Sequence, residues 1–170
     1  MSCYNQRQFK VAVLTILGAA LILCATPTDS QAQAANPLAF TFSGPVRGMV
    51  SSAGVREFLG IPYAAPPVGN LRWRPPVPHG PWFQTLDATQ FASHCPQTPS
   101  PFGIPSTTED CLFLNVFAPE LNAGAIGGLR PVMVWIHGGA LVDGESNDYD
   151  PTALVNDGVI VVTINYRLGI

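Results

Sequence analysis

Charge is scarce in this chain: Asp, Glu, Lys and Arg make up 11% of its 170 residues, and the single lysine is Lys10. The arginines are scattered, so no basic stripe exists to neutralise a phosphate backbone, and nucleic acid is excluded as a partner. Hydrophobic residues reach 47%, yet no apolar run attains the roughly 20 residues that a spanning helix needs. Only four cysteines are present and none forms a C-x-x-C. His94, beside Cys95, is the one nearby extra ligand, so no metal site is expected, and no cofactor either. Internal repeats and low-complexity tracts are absent.

The longest apolar run covers residues 11–25 (VAVLTILGAALILCA), 15 in all. Arg7 and Lys10 precede it and Ser30-Gln31-Ala32-Gln33-Ala34 follows. A basic start, a core of roughly 7 to 15 apolar residues and an A-x-A-like end make a secretory signal. Residues 1–34 are therefore expected to direct export, with cleavage after Ala32 or Ala34; an uncleaved anchor is the alternative. Leu23 is too bulky for lipoprotein processing at Cys24. What remains, residues 35–170, has six basic against ten acidic side chains and no further segment to hold it in a membrane.

Sixteen of the 17 prolines fall in that remainder, seven of them from Pro62 to Pro81. Proline removes a backbone donor and clashes inside helices, which excludes a helical bundle. Cys3 and Cys24 leave with the signal, whereas Cys95 and Cys111 stay. An even pair in an exported chain reads as one disulfide, and two buried free thiols are the alternative. Closing a loop of that size is worth about 3 kcal/mol in the chain-entropy account.

Residues 40–50 read as a strand bent or broken at Gly44-Pro45, and residues 55–61 as a second strand. The Ser51-Ser52-Ala53-Gly54 turn between them makes an exposed hairpin. Residues 62–81 cannot be regular. They carry Tyr63 and Trp73, with Trp82 next in the chain, and are expected to pack as an ordered loop along a larger body. Residues 87–94 suit one short helical turn, and residues 96–105 another proline-rich loop. Three apolar runs follow, at residues 112–118, 132–136 and 159–164. The last two lack alternation, as strands buried on both faces do. Residues 151–157 between them are too short for a full crossover helix, which leaves sheet order open.

His137-Gly138-Gly139-Ala140 directly follows the second of these runs. Small residues at a strand end let backbone N–H groups face outward, where they can hold the negative oxygen of a tetrahedral intermediate. A plain tight turn is the alternative. Four blocks then resemble the type B carboxylesterase family of α/β-hydrolases. They are Phe58-Leu59-Gly60-Ile61-Pro62-Tyr63-Ala64-Ala65-Pro66-Pro67-Val68-Gly69-Asn70-Leu71-Arg72-Trp73, the Glu109-Asp110-Cys111-Leu112 signature continuing to Pro119, Val134-Trp135-Ile136-His137-Gly138-Gly139-Ala140, and Val161-Val162-Thr163-Ile164-Asn165-Tyr166-Arg167-Leu168-Gly169. They stand in the family's order across nearly all of residues 35–170.

The resemblance implies an α/β fold: an N-terminal hairpin, proline-rich loops and the first strands of a central mixed sheet, incomplete within this length. It implies that the Gly139 and Ala140 amides donate to an oxyanion while Gly138 permits the turn. It also implies that Cys95 pairs with Cys111 and that Arg72 meets Glu109 in a structural ion pair. His137 belongs to the loop and is not read as a catalytic imidazole. In the family the nucleophile stands on a downstream G-x-S-x-G elbow, and the acid and histidine follow later; none of the triad is expected in these residues. Gly144-Glu145-Ser146 imitates the elbow, but Asp148 replaces its second glycine and no separate strand precedes it, so Ser146 is not read as a nucleophile. His79 and His94 lie in loops with no serine motif to serve and read as exposed or structural.

Residues 96–110 hold no tryptophan, the residue that stacks on choline in cholinesterases, so a cation–π choline site is not supported. The expectation is the N-terminal part of an exported serine hydrolase acting on small-molecule carboxylic esters, inactive alone. A non-catalytic binding or adhesion protein of the same fold is the alternative, and a self-sufficient β-rich binding module the third reading.

Overall fold

The computed structural model describes residues 36–121 and 129–169, and the expected export signal lies outside them. Among the described residues no helix is long and apolar enough to cross a membrane. Three strands, β1 (Leu38–Phe40), β2 (Pro45–Arg47) and β5 (Leu86–Asp87), form a small sheet in the order β1-β2-β5. The other five are β3 (Met49–Val50), β4 (Arg56–Pro62), β6 (Phe113–Ala118), β7 (Val132–Ile136) and β8 (Ile160–Ile164), in the order β3-β4-β6-β8-β7. All pairs in this larger sheet are antiparallel except β7 with β8, which run parallel.

The break expected in residues 40–50 divides that segment between two sheets. Thr41 closes the bend by accepting from Gly44, and Gly44 packs so closely on Trp82 that a side chain there would collide with it. Only β3 forms the expected hairpin with β4, across a turn in which Ser51 N–H donates to Val55 O (2.8 Å). β4 then pairs on its other edge with β6 and is central rather than peripheral. Its register slips between Phe58 and Ile61, and Gly60 occupies the slip with a φ of 71°. The irregularity turns the Gly60 N–H away from the ladder to donate to Asn115 Oδ1 (2.9 Å).

Two expectations fail here. Residues 87–94 contain no helical turn: Leu86 and Asp87 extend along β2, and Thr89 bridges Leu59. Ala88 is held across to both neighbours, its N–H donating to Arg47 O (2.7 Å) and its carbonyl accepting from Leu59 N–H (2.8 Å), which keeps the start of the segment extended. The second concerns burial. β8 alternates, with Val161 and Thr163 buried, but every residue of β7 is exposed, from Trp135 at 41% to Ile136 at 64%. β7 is the sheet edge, and α1 (Thr152–Asn156) packs over β6 and β8 instead. Parallel pairing of β7 with β8 needs a long connection, and residues 137–159, loop and α1 together, provide it.

Under α1 lies an apolar cluster of Val55, Leu59, Phe117, Val155 and Val161. A second cluster, Val46, Phe58 and Ala88, takes Trp82 against it, and the Trp82 indole N–H donates to Pro45 O (2.9 Å). Tyr63 is 36% exposed, with its hydroxyl donating to Asn165 O (2.7 Å). Trp73 departs from the expected packing: its backbone sits at a φ of 57° and the side chain is 79% exposed. It stands beside Arg72, Arg74 and Arg167 on the wall of a cleft of about 560 Å³. The left-handed backbone turns it out of the loop that holds Tyr63 and Trp82.

Phe117→Ala should destabilise the chain by about 3 to 5 kcal/mol, whereas Phe42→Ala, at a fully exposed position, should stay within about 0.5 kcal/mol. Urea unfolding of the three proteins by circular dichroism checks both, and equal shifts would contradict the packing described.

Candidate active site

Strand β7 ends at Ile136, and the chain then leaves the ladder at His137-Gly138-Gly139-Ala140. The Gly139 φ is 101°, and a Cβ there would collide with the Asp143 carbonyl, so only glycine fits. Ala140 and Leu141 follow at φ of 51° and 64°, a left-handed pair without glycine. Such backbone is costly and gathers at functional sites, held by its surroundings. Here the hold is visible. Val142 and Asp143 N–H both donate to Gly139 O (2.9 and 3.1 Å), and Gly169 N–H donates to Leu141 O (2.8 Å). Among the described residues nothing accepts from the Gly139 or Ala140 N–H. Ala140 is exposed and Gly139 half-buried; a Cβ at Gly138 would meet open space and its φ is not positive, so Gly139, and not Gly138 as expected, permits the turn.

His137 is 3% exposed and stacks on Tyr166, with ring centroids 4.3 Å apart. Its Nδ1 lies 2.8 Å from Gly138 O, an atom that only accepts, so Nδ1 carries the proton. The Tyr166 hydroxyl donates back to His137 O (2.7 Å). His137 thus braces the loop, in keeping with the sequence reading. Ser146 is 1% exposed: its Oγ accepts from Asn115 Nδ2 (2.9 Å) and its N–H donates to Asn165 Oδ1 (2.8 Å). Asn115 Nδ2 also donates to Thr163 Oγ1 (2.9 Å), and Asn165 Nδ2 to Ser93 O (3.2 Å). A serine so enclosed has no approach to a substrate.

Cys95 and Cys111 are bonded and buried, in one cluster with Ala64, Leu112 and Leu168. Arg72 Nε meets Glu109 Oε1 where both side chains are substantially solvated, so the pair contributes about 0 to 1 kcal/mol. His79 stands edge-on to Trp82 and away from the loop. His94 has a partner that the sequence did not disclose. Its Nδ1 lies 3.1 Å from Oε2 of Glu145, a carboxylate only 2% exposed. The contact is ionic in distance but not aligned as a hydrogen bond, and Oε2 has no other partner among the described residues.

Burial pushes the Glu145 carboxyl above its ordinary range; His94 draws it back and Asp148 adds to the rise. Sequence reading also missed Gln97, Asn115 and Asn165. For the two asparagines a signal existed, a polar residue inside an apolar run at Asn115 and directly after one at Asn165. Gln97 and Glu145 carry none, because their partners lie far off in sequence.

The profile of the carboxylesterase family matches residues 35–170. The chain belongs to the carboxylesterase family. It is 43% identical over 165 residues to the fumonisin B1 esterase of Sphingopyxis macrogoltabida, covering 94% of this chain and 29% of that protein. It is 46% identical over 134 residues to the para-nitrobenzyl esterase of Bacillus subtilis (strain 168), covering 74% and 26%. Among solved structures a PNB esterase superposes with a TM-score of 0.69 at 45% identity, over 79% of this chain and 27% of that one. The chain therefore spans less than a third of the length of the carboxylesterases it matches, and its sheets are part of an α/β-hydrolase fold.

A carboxyl held above its ordinary range keeps a proton in the folded chain where the unfolded chain has released it. It therefore favours folding below the ordinary Glu value of 4.5, and that contribution is lost as pH rises through the folded value. Glu145→Gln removes the titration. The variant should gain stability relative to the parent as pH rises above about 4.5, as measured by urea midpoints. A difference constant with pH would contradict the burial effect.

Proposed function

We propose that residues 35–170 supply the oxyanion-binding part of a serine carboxylic ester hydrolase acting on small-molecule esters. The observation that carries this reading is the pair of amides, Gly139 and Ala140, that meet no acceptor among the described residues at the end of β7, on a strained and braced loop. A serine hydroxyl gives its proton to a histidine as its oxygen adds to the ester carbonyl, whose π electrons move to the carbonyl oxygen. That oxygen, now anionic, is where the two N–H groups donate, and such donors are worth about 10²- to 10³-fold each in kcat. The C–O bond then breaks, the alcohol leaves with the proton that the histidine took, and water releases the acyl group from serine. The names of the relatives, esterases for fumonisin B1 and para-nitrobenzyl esters, support the reaction class.

In this proposal the nucleophile, acid and histidine come from outside these 170 residues, which contain no G-x-S-x-G. Ser146 is not among them because it is enclosed. The donors alone retain only a residual share of catalysis. Absence of tryptophan from residues 96–110 favours general esters over choline esters, and the leader at residues 1–34 favours an exported enzyme.

The 170-residue chain should take no fluorophosphonate label and should hydrolyse a p-nitrophenyl ester at the buffer rate, whereas the full gene product carrying these residues should do both. Labelling of a serine in the isolated chain, or a full product without turnover, would overturn the proposal.

A further inference from the structure

We propose that Gln97 is a positioning residue for the loop of residues 138–144, its carboxamide setting where the Gly139 and Ala140 N–H groups stand; this rests on the ester-hydrolase reading above. Gly144 ends the loop at a φ of 111°, buried, and a Cβ there would collide with the His137 ring and crowd Gly138 O. The position of Gly144 is thereby tied to the start of the loop. A buried N–H and C=O need partners. Both are met by one side chain: Gly144 N–H donates to Gln97 Oε1 (2.7 Å), and Gln97 Nε2 donates to Gly144 O (3.3 Å). A carboxamide presents an N–H donor and a carbonyl acceptor side by side, which matches both.

Gln97 is itself fixed. Its backbone N–H donates to Ser106 O (3.0 Å) and its carbonyl accepts from Ser106 N–H (3.1 Å), inside the loop closed by Cys95 and Cys111. Gly103, from the same loop, leaves the room: a Cβ there would come within 2.9 Å of Gly144 N and strike the Gln97 carboxamide. His94, on the other side of Cys95, meets Glu145, the residue after Gly144. Tyr166 and Gly169 hold the loop at His137 and Leu141. At the Gly144 end, among the described residues, Gln97 alone makes hydrogen bonds to the backbone. The disulfide loop and the oxyanion loop are joined through one amide.

The test uses Gln97→Ala and Gln97→Met, the second keeping the volume without the hydrogen bonds. In the 170-residue chain, hydrogen exchange at Gly144 should rise about tenfold in both. In the full gene product, kcat on a p-nitrophenyl ester should fall about tenfold in both, with KM within about twofold. Gln97→Met restored to parental exchange and kcat would show that the residue only fills space, and would overturn the proposal. So would parental values in both variants of an active enzyme. A parent without ester turnover would instead overturn the ester-hydrolase reading, and the catalytic half of this proposal with it, even where exchange at Gly144 rises.

Discussion

Parallel pairing of β8 with β7 is the constraint on which the site depends. The register sets Ile136 opposite Ile164, so the two strands end together and the residues beyond them meet. His137 then lies on Tyr166, and Ser146 reaches Asn165. A parallel pair also requires a connection long enough to return the chain to the same end, and that connection contains the left-handed turn at Gly139, Ala140 and Leu141. Without the adjacent end of β8, the strained turn would have neither the Gly169 bond nor the stacked tyrosine to hold it.

Polar residues at the same end of the sheet do a second part of the work. Asn115 on β6, Thr163 on β8, Asn165 just past it and Ser146 from the crossover share a chain of hydrogen bonds in which each is at most 3% exposed. Buried amides and hydroxyls are costly unless paired, so the group tolerates one relative placement of β6, β8 and the loop. This ties the same end of the sheet to the bulge in β4 as well, through Gly60 and Asn115. The disulfide loop joins from the outside, through Gln97 and His94. The loop that follows β7 is thus braced from three directions.

Much of this was legible in the residues. The apolar runs announced β6, β7 and β8, the Gly44-Pro45 step announced a break, and the loop motif with the Cys111 block pointed to the family and to the Cys95 pairing. Local chemistry misled where long-range pairing decides: the backbone of residues 87–94 joins distant strands and not its own turn. The exposed β7 and Trp73 differ for another reason. An apolar run states what a strand needs, but not which segment covers it, and the described residues place α1 over β6 and β8.

The sequence by itself determined the strand-forming segments, the glycine step after β7, and the cysteines available to pair, because these follow from side-chain shape, period and backbone freedom. Only the tertiary structure decided that Ser146 is closed off, that Glu145 is buried against His94, and that Gln97 holds Gly144. Those three depend on contacts between residues from 19 to 51 positions apart, 19 for Ser146 with Asn165, 47 for Gln97 with Gly144, and 51 from His94 to Glu145. No local rule of propensity or periodicity reaches across such separations; the sheet register does.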